Sequence, residues 1–177
     1  HTNPMRIATS SGKIDISKED KTFNLANFFA NFITEGDVIF LYGEIGVGKT
    51  TFVKYLINSI QKKKKEYLSE ITSPTFNIMN EYQAKNLNIN HFDLFRIDKT
   101  TDLNNIGLFN DYKNCLTIVE WPERLGEKIP DTFMQIEFID CQKNYEKRHL
   151  KIGLVGTNRK DIHFFLKELK NDFGVLS

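Results

Sequence analysis

The sequence predicts an α/β fold with a mixed sheet, and three observations carry that prediction. Helical and strand periodicities alternate through the first half of the chain. Later strand-like runs come in pairs, and a glycine-rich stretch, "LYGEIGVGKTTF" (residues 41–52), joins a short apolar run to a helical pattern. Alternation asks for parallel pairing around the glycine stretch, and the paired runs ask for antiparallel pairing toward one edge.

The elements follow in order. Ser17 followed by Asp20 has the form of a capping box, with Asp in place of Glu or Gln. Behind it, Phe23, Ala26, Phe29, Ala30 and Ile33 recur at helical spacing until Glu35-Gly36-Asp37 ends the element. Val38–Tyr42 is a compact buried strand. Thr50–Ile60 is a helix with Phe52, Val53, Leu56, Ile57 and Ile60 inward, closed by Lys62–Lys65, whose cations suit the negative end of the helix dipole. Thr75–Gln83 and Leu87–Phe95 read as two strands joined by a polar turn at Lys85-Asn86. Thr101–Phe109 reads as helical, Leu116–Trp121 as a buried strand, Phe133–Asp140 with His149–Val155 as a hairpin, and Asp161–Leu169 as an amphipathic closing helix.

Composition sets the outer bounds. At 177 residues, with 40% hydrophobic and 27% charged residues, the chain has the length for a single domain with its own core. The net charge of +1 gives no polyanion-binding signal. The two cysteines, Cys115 and Cys141, stand far apart without a CxxC spacing and read as reduced, buried thiols. No apolar run reaches membrane length, and no signal-peptide pattern opens the chain, so the expected location is cytoplasmic with no membrane partner. His1–Pro4 ahead of Met5 reads as an expression-vector remnant, which leaves residues 5–177 as the expected domain.

Gly43-Glu44-Ile45-Gly46-Val47-Gly48-Lys49-Thr50 matches GxxxxGK[ST] in full, after a strand and before a helix. Such glycines let successive backbone N–H groups turn inward as an anion nest, and the following helix N-terminus adds its unpaired donors and positive dipole end. Lys49 then reaches the β- and γ-phosphates, and the Thr50 hydroxyl takes a Mg²⁺ position. The alternative is an ordinary strand-to-helix turn that matches by chance, which a full match in the right strand–helix context makes the weaker reading. The predicted fold is therefore P-loop NTPase-like, three-layered, with a mixed parallel and antiparallel sheet.

Three further stretches surround the loop. In "TSPTF" (Thr72–Phe76) the hydroxyls of Ser73 and Thr75 either hold a water and sense a γ-phosphate or form an ST-turn opening a strand. "HFDLFR" (His91–Arg96) sets His91, Asp93 and Phe95 on one strand face. Asp93 is the acid expected on the Mg²⁺ side of a phosphate-loop site, or else a capping residue, and His91 reads as strand packing. "TIVEWPERL" (Thr117–Leu125) ends a buried strand on Glu120, whose carboxylate needs a metal or a basic partner. Trp121 divides between core and function.

Taken together, "GEIGVGKTT", "SPTF", "HFDLFR" and "VEWPE", in this order and at these separations, resemble the TsaE (YjeE) family over most of the chain. The resemblance implies a small P-loop ATPase of tRNA threonylcarbamoyladenosine biosynthesis with a mixed sheet. It hydrolyses ATP slowly alone and faster with its partners TsaB and TsaD, and it meets tRNA only through that complex. By position, it implies that Gly43 to Thr51 (Gly43, Glu44, Ile45, Gly46, Val47, Gly48, Lys49, Thr50 and Thr51) bind the phosphates of ATP or ADP. It further implies that Thr50 and Glu120 hold Mg²⁺, that Asp93 supports the metal or its water, and that Thr75 is switch-like. Trp121 is implied beside the nucleotide or the partner face. Lys49, Asp93 and Glu120 are the catalytic candidates. Two positions depart from the family pattern: Glu44 stands where Asp is usual, and Phe95 where Tyr is usual.

Rival readings share the loop. A P-loop small-molecule kinase adds an arginine-bearing lid; Arg96, Arg124, Arg148 and Arg159 are scattered, none in a clear lid segment, and no arginine finger is evident. A GTPase would carry DxxG, which is missing, and "NRKD" (Asn158–Asp161) has Arg where NKxD has Lys, so it reads as a capped helix start. A non-catalytic ADP/ATP-binding regulatory module shares every residue named above. The Lys62–Lys65 run is either a solvated helix end or a contact for tRNA phosphates.

Overall fold

The apolar run Val38–Tyr42 lies inside a sheet whose strands on either side run parallel to it. The computed structural model describes residues 7–44, 46, 48–74, 77–97, 106–126, 129–140, 148–156 and 162–174. Through these the chain forms β1 (Ile7–Asp15), α1 (Glu19–Ala30), β2 (Val38–Tyr42), α2 (Lys49–Lys63), β3 (Met79–Ala84), β4 (Leu87–Asp93), β5 (Cys115–Glu120), β6 (Phe133–Asp140), β7 (Arg148–Val155) and α3 (Ile162–Phe173). The strands make a 7-stranded sheet in the order β1-β7-β6-β2-β5-β4-β3.

The pairs β2–β5, β2–β6 and β4–β5 are parallel, while β3–β4, β6–β7 and β1–β7 are antiparallel. Antiparallel pairing thus closes both edges, where the sequence suggested one. The cause is the placement of the two hairpins, β3–β4 beside β5 and β6–β7 beside β2, on opposite sides of the parallel strands. Strand β1, which the periodicity does not reveal, then extends the β7 edge. Its run IATSSGKID lacks apolar alternation, and two register irregularities, between Ile7 and Thr9 and between Ser10 and Lys13, interrupt its pairing with β7. The β3–β4 turn falls at Lys85-Asn86 as predicted, with Lys85 in the left-handed region (φ 55°).

Alternation along β2 sorts its side chains between two layers. Ile39 and Leu41 join Phe29, Phe52, Leu56, Ile57, Phe138 and Phe165 under the helices. Val38 and Phe40 join Phe92, Leu94, Val119, Phe133 and Leu108 on the opposite face, which Ile106, Phe109, Tyr112 and Trp121 help to cover. Covered on both faces, β5 is buried at all six positions, which is why four of its six residues are apolar and do not alternate with polar ones. On the helix face Phe29 stands edge-on to Phe52 (5.6 Å) and Phe165 (5.4 Å), tying α1, α2 and α3 into one aromatic cluster.

The structure departs from the local pattern at three places. Helix α1 starts from Lys18 with no side-chain cap. Ser17 is engaged elsewhere: its hydroxyl donates to Asp15 Oδ1 (2.5 Å) and accepts from the Arg148 N–H (3.0 Å), linking β1 to β7. Residues 101–105 of the expected Thr101–Phe109 helix lie outside the described residues, and Gly107, at φ +68°, makes the remainder a turn. At the end of α2 the lysines are exposed, yet Lys63 also donates to Asn31 Oδ1 and to Asn27 O on α1 (3.4 Å). Deeper in α2, buried Gln61 donates to Ser69 Oγ (2.8 Å) and Gln83 O (3.1 Å) and accepts from the Ser69 N–H (2.9 Å). That amide pins the segment leading to Ser73.

Candidate nucleotide-phosphate site

Where β2 ends, the chain turns through Gly43 (φ 141°), Gly46 (φ 82°) and Gly48 (φ 107°) before α2 begins at Lys49. These backbone angles, rather than crowding, are what require glycine: a Cβ on Gly46 would meet nothing within 4 Å. Gly48 occupies the N-cap of α2 without a capping side chain, so the helix's first N–H groups face the loop. Ile45 and Val47 of the predicted loop, and Thr75 of the "TSPTF" stretch, lie outside the described residues.

The loop opens onto a cavity of about 550 Å³ lined by Gly46, Gly48, Lys49, Thr50, Thr51, Ser73, Asp93, Glu120 and Trp121 among others. Four separate stretches of sequence thus converge on one hollow at the carboxyl ends of β2, β4 and β5. In parallel α/β sheets that end is where ligands sit. Glu44, also counted with the loop, is exposed.

Lys49 is only 5% exposed. Its Nζ donates to Gly43 O (2.5 Å) and lies 4.0 Å from the centre of the Trp121 ring. Burial lowers the Lys49 pKa, against the opposing pull of Glu120, Glu123, Asp93 and Glu44. Trp121 itself stands in the left-handed region (φ 59°, ψ 50°) at the entry to the 3₁₀ turn Pro122–Arg124. For a bulky residue this costs about 1–2 kcal/mol. The conformation lays the indole across Lys49 and against Phe95 (centroids 4.9 Å apart). Phe95, one of the two departures from the pattern that the sequence resembles, thus has an aromatic contact with Trp121.

Glu120, at the end of β5, is 2% exposed. A carboxylate removed from water needs partners, and it has two: Thr50 Oγ1 donates to Oε1 (3.4 Å), and His91 Nε2 lies 2.6 Å from Oε2. Asp93 pairs opposite Glu120 in the β4–β5 register. It accepts from Ser73 Oγ (3.1 Å) and from the Phe95 N–H (3.0 Å), so it binds the "TSPTF" segment to the site.

The oxygens present suit Mg²⁺. Thr50 Oγ1 and Glu120 Oε1, 3.4 Å apart, stand close to the separation of about 2.9 Å between adjacent ligands of an octahedral ion at 2.0–2.1 Å. Among the described residues no group of three or more His, Cys, Asp or Glu forms a metal cage. Mg²⁺ needs none, since it keeps waters and takes phosphate oxygens alongside one or two protein ligands.

The sequence reading missed three things here. His91 is not mere strand packing; it is fully buried and bonded to Glu120. Arg96 and Arg148, read as scattered, both line the cavity, and Arg148 Nη1 lies 3.9 Å from where a Cβ on Gly48 would be. Arg124 instead reaches Ile97 O (3.4 Å), and Arg159 lies outside the described residues. For Arg148 the only sequence signal was the β6–β7 pair, whose place beside β2 no local pattern gives.

Comparison with known proteins decides the family. Residues 16–150 match the family model described as "Threonylcarbamoyl adenosine biosynthesis protein TsaE". The chain belongs to the TsaE family. Among proteins named tRNA threonylcarbamoyladenosine biosynthesis protein TsaE, it is 34% identical to that of Aquifex aeolicus over 131 residues, 74% of this chain and 90% of that one. It is 32% identical to that of Rickettsia typhi over 121 residues, 68% of this chain and 81% of that one. Its fold is similar to the crystal structure of Bacillus subtilis YdiB, with a TM-score of 0.66 at 24% identity, covering 92% of this chain and 95% of that one. Among the described residues no helix is long and apolar enough to cross a membrane.

Proposed function

We propose that this TsaE-family protein binds ATP with Mg²⁺ and hydrolyses it slowly, and that it serves tRNA threonylcarbamoyladenosine biosynthesis in the cytoplasm as a nucleotide-dependent switch on a TsaB–TsaD complex. The observation that carries the reading is the meeting of Thr50 and Glu120 at the mouth of the glycine loop, opposite Asp93. An anion cradle and a divalent-cation side stand next to each other, as a nucleoside triphosphate requires.

In this reading the backbone N–H groups around Gly46, Gly48 and Thr50 receive the β-phosphate, and Lys49 leaves Gly43 O for the β- and γ-phosphates. Thr50 and Glu120 would hold Mg²⁺, which supplies charge neutralisation to the transferring phosphoryl group. Asp93 orients the attacking water, and Ser73 carries its state to the "TSPTF" segment. Arg148, beside Gly48 on the side of β2 away from Glu120, adds a cation to the phosphate cradle. ATP-bound and ADP-bound forms then differ around Ser73 and the Glu120–Trp121 turn, which is what a partner complex reads.

The experiment is ATP turnover with Mg²⁺ for the parent and Lys49→Ala, with and without TsaB–TsaD and tRNA. Slow turnover that rises with the partners and vanishes in the variant supports the proposal. Turnover indifferent to the partners, or phosphate delivered to a small molecule instead of water, supports a P-loop kinase.

A further inference from the structure

His91 touches the proposed metal side yet has no part in the reading above. It lies on β4 two residues before Asp93 and is fully buried, with its Nε2 2.6 Å from Glu120 Oε2. Its other nitrogen, Nδ1, is buried without a hydrogen-bond partner.

Those two facts select a tautomer. A neutral ring protonated at Nε2 donates to the carboxylate and leaves only a lone pair unmatched at Nδ1. Protonation at Nδ1 alone would bury an unmatched N–H and set two acceptors, Nε2 and Oε2, against each other. The first arrangement wins. It also gives the two Glu120 oxygens different surroundings: Oε2 is anchored inward to β4, and Oε1 faces the Thr50 hydroxyl at the cavity. The terminal torsion of a glutamate is soft and roughly two-fold, so packing by itself does not hold one oxygen outward.

We propose that His91 is a positioning residue, its Nε2–H holding Glu120 Oε2 so that Oε1, beside Thr50, is presented to the divalent cation of a bound nucleotide. The inference rests on the Mg²⁺–nucleotide reading of the site. If the buried His–Glu pair were only structural, removing the imidazole would lower stability and leave the Mg²⁺ requirement of nucleotide binding as it was.

The test is calorimetric ADP binding as a function of Mg²⁺, with thermal melting as the check on folding. His91→Leu removes the donor. The Mg²⁺ concentration that gives half of the affinity gain rises about tenfold or more, the usual scale for losing a partner that orients a metal ligand. ADP affinity in EDTA stays unchanged. His91→Gln, which places an amide N–H near the same spot, recovers most of the loss. A folded His91→Leu protein with the parent's Mg²⁺ requirement, alongside a Glu120→Gln protein that has lost its own, overturns the inference. A parent whose ADP binding ignores Mg²⁺, or a Glu120→Gln protein that keeps the full effect, overturns the underlying metal reading instead. Should His91→Leu not fold, NMR of the imidazole nitrogens in the parent decides. An Nε2–H tautomer whose signal moves when Mg²⁺ joins the ADP complex supports the inference; an Nδ1–H tautomer, or a signal indifferent to the ion, overturns it.

Discussion

The Lys49 ammonium lies 4.0 Å from the centre of the Trp121 ring while it donates to Gly43 O, so the cation of the glycine loop is held by its own protein. The hold is costly on both sides: Lys49 is desolvated, and Trp121 adopts a left-handed backbone to reach it. A phosphate that draws Lys49 away changes the surroundings of the indole, which belongs to the single tryptophan of the chain. Adding ADP or ATP with Mg²⁺ is predicted to change tryptophan emission saturably. In Lys49→Ala, which has no ammonium over the indole, that emission change is lost, and nucleotide affinity measured by calorimetry falls about 10–100-fold, the scale of one or two charge-assisted hydrogen bonds. An emission that ignores nucleotide, with binding verified separately, contradicts the contact's proposed role.

Lys49 also makes stability depend on pH in a defined direction. Its folded-state pKa is lowered, chiefly by burial. Below that value the lysine is charged in both states and the folded protein bears the full penalty. Between that value and the ordinary lysine value of 10.5, the unfolded state binds more protons, so stability rises with pH. Lys49→Met is therefore predicted to melt higher than the nucleotide-free parent at neutral pH. The gap narrows as pH climbs toward 10.5. Melting curves of both proteins across that range test the sign.

Two glycines separate function from folding. A Cβ on Gly156 (φ +63°) would stand 2.2 Å from Asp131 O, a backbone atom that cannot step aside. Gly156→Ala is predicted to lose at least about 2 kcal/mol, combining left-handed strain with a clash. Gly46→Ala has open space around it and bears only the strain of φ +82°, about 1–2 kcal/mol. Its larger effect is predicted to fall on nucleotide affinity, because in the proposed site the methyl group stands where a phosphate would approach. Chemical denaturation paired with ADP titration distinguishes the two outcomes.

Ser73 donates to Asp93 Oδ2 at 3.1 Å and so links the "TSPTF" segment to the proposed metal side. Ser73→Ala is predicted to leave ADP affinity within about twofold, since no phosphate contact is removed, and to lower partner-stimulated turnover by about 10-fold, on the scale of one charge-assisted hydrogen bond. Equal losses in affinity and turnover would make Ser73 a binding residue and remove its switch role.

Much of the architecture was legible because local patterns were strong. Strand β5 is apolar at four of its six positions, on both faces, since both faces are covered, and the loop glycines occupy the positive-φ positions that an anion nest needs. Strand β1 was not legible: its polar, irregular sequence gains a place only by pairing with β7. Ser17 misled for a related reason, because its hydroxyl serves the β1–β7 junction and leaves α1 uncapped. In the site, the loop, Asp93 and Glu120 announced themselves by motif, whereas the His91–Glu120 contact depends on the β4–β5 register, and Arg148 depends on strand order. Neither is a property of any short stretch of sequence.

The central claim is that Thr50 and Glu120 form the metal side of a nucleotide site built on the glycine loop. Its most direct measurement is ATP and ADP affinity with Mg²⁺ and with EDTA, for the parent and Glu120→Gln. The account predicts that Mg²⁺ tightens ATP binding to the parent by about tenfold or more, on the scale of a charged ligand contact. It predicts that Glu120→Gln abolishes that gain while keeping the affinity measured in EDTA. A variant that retains the full Mg²⁺ effect, or a parent that binds neither nucleotide, would contradict it.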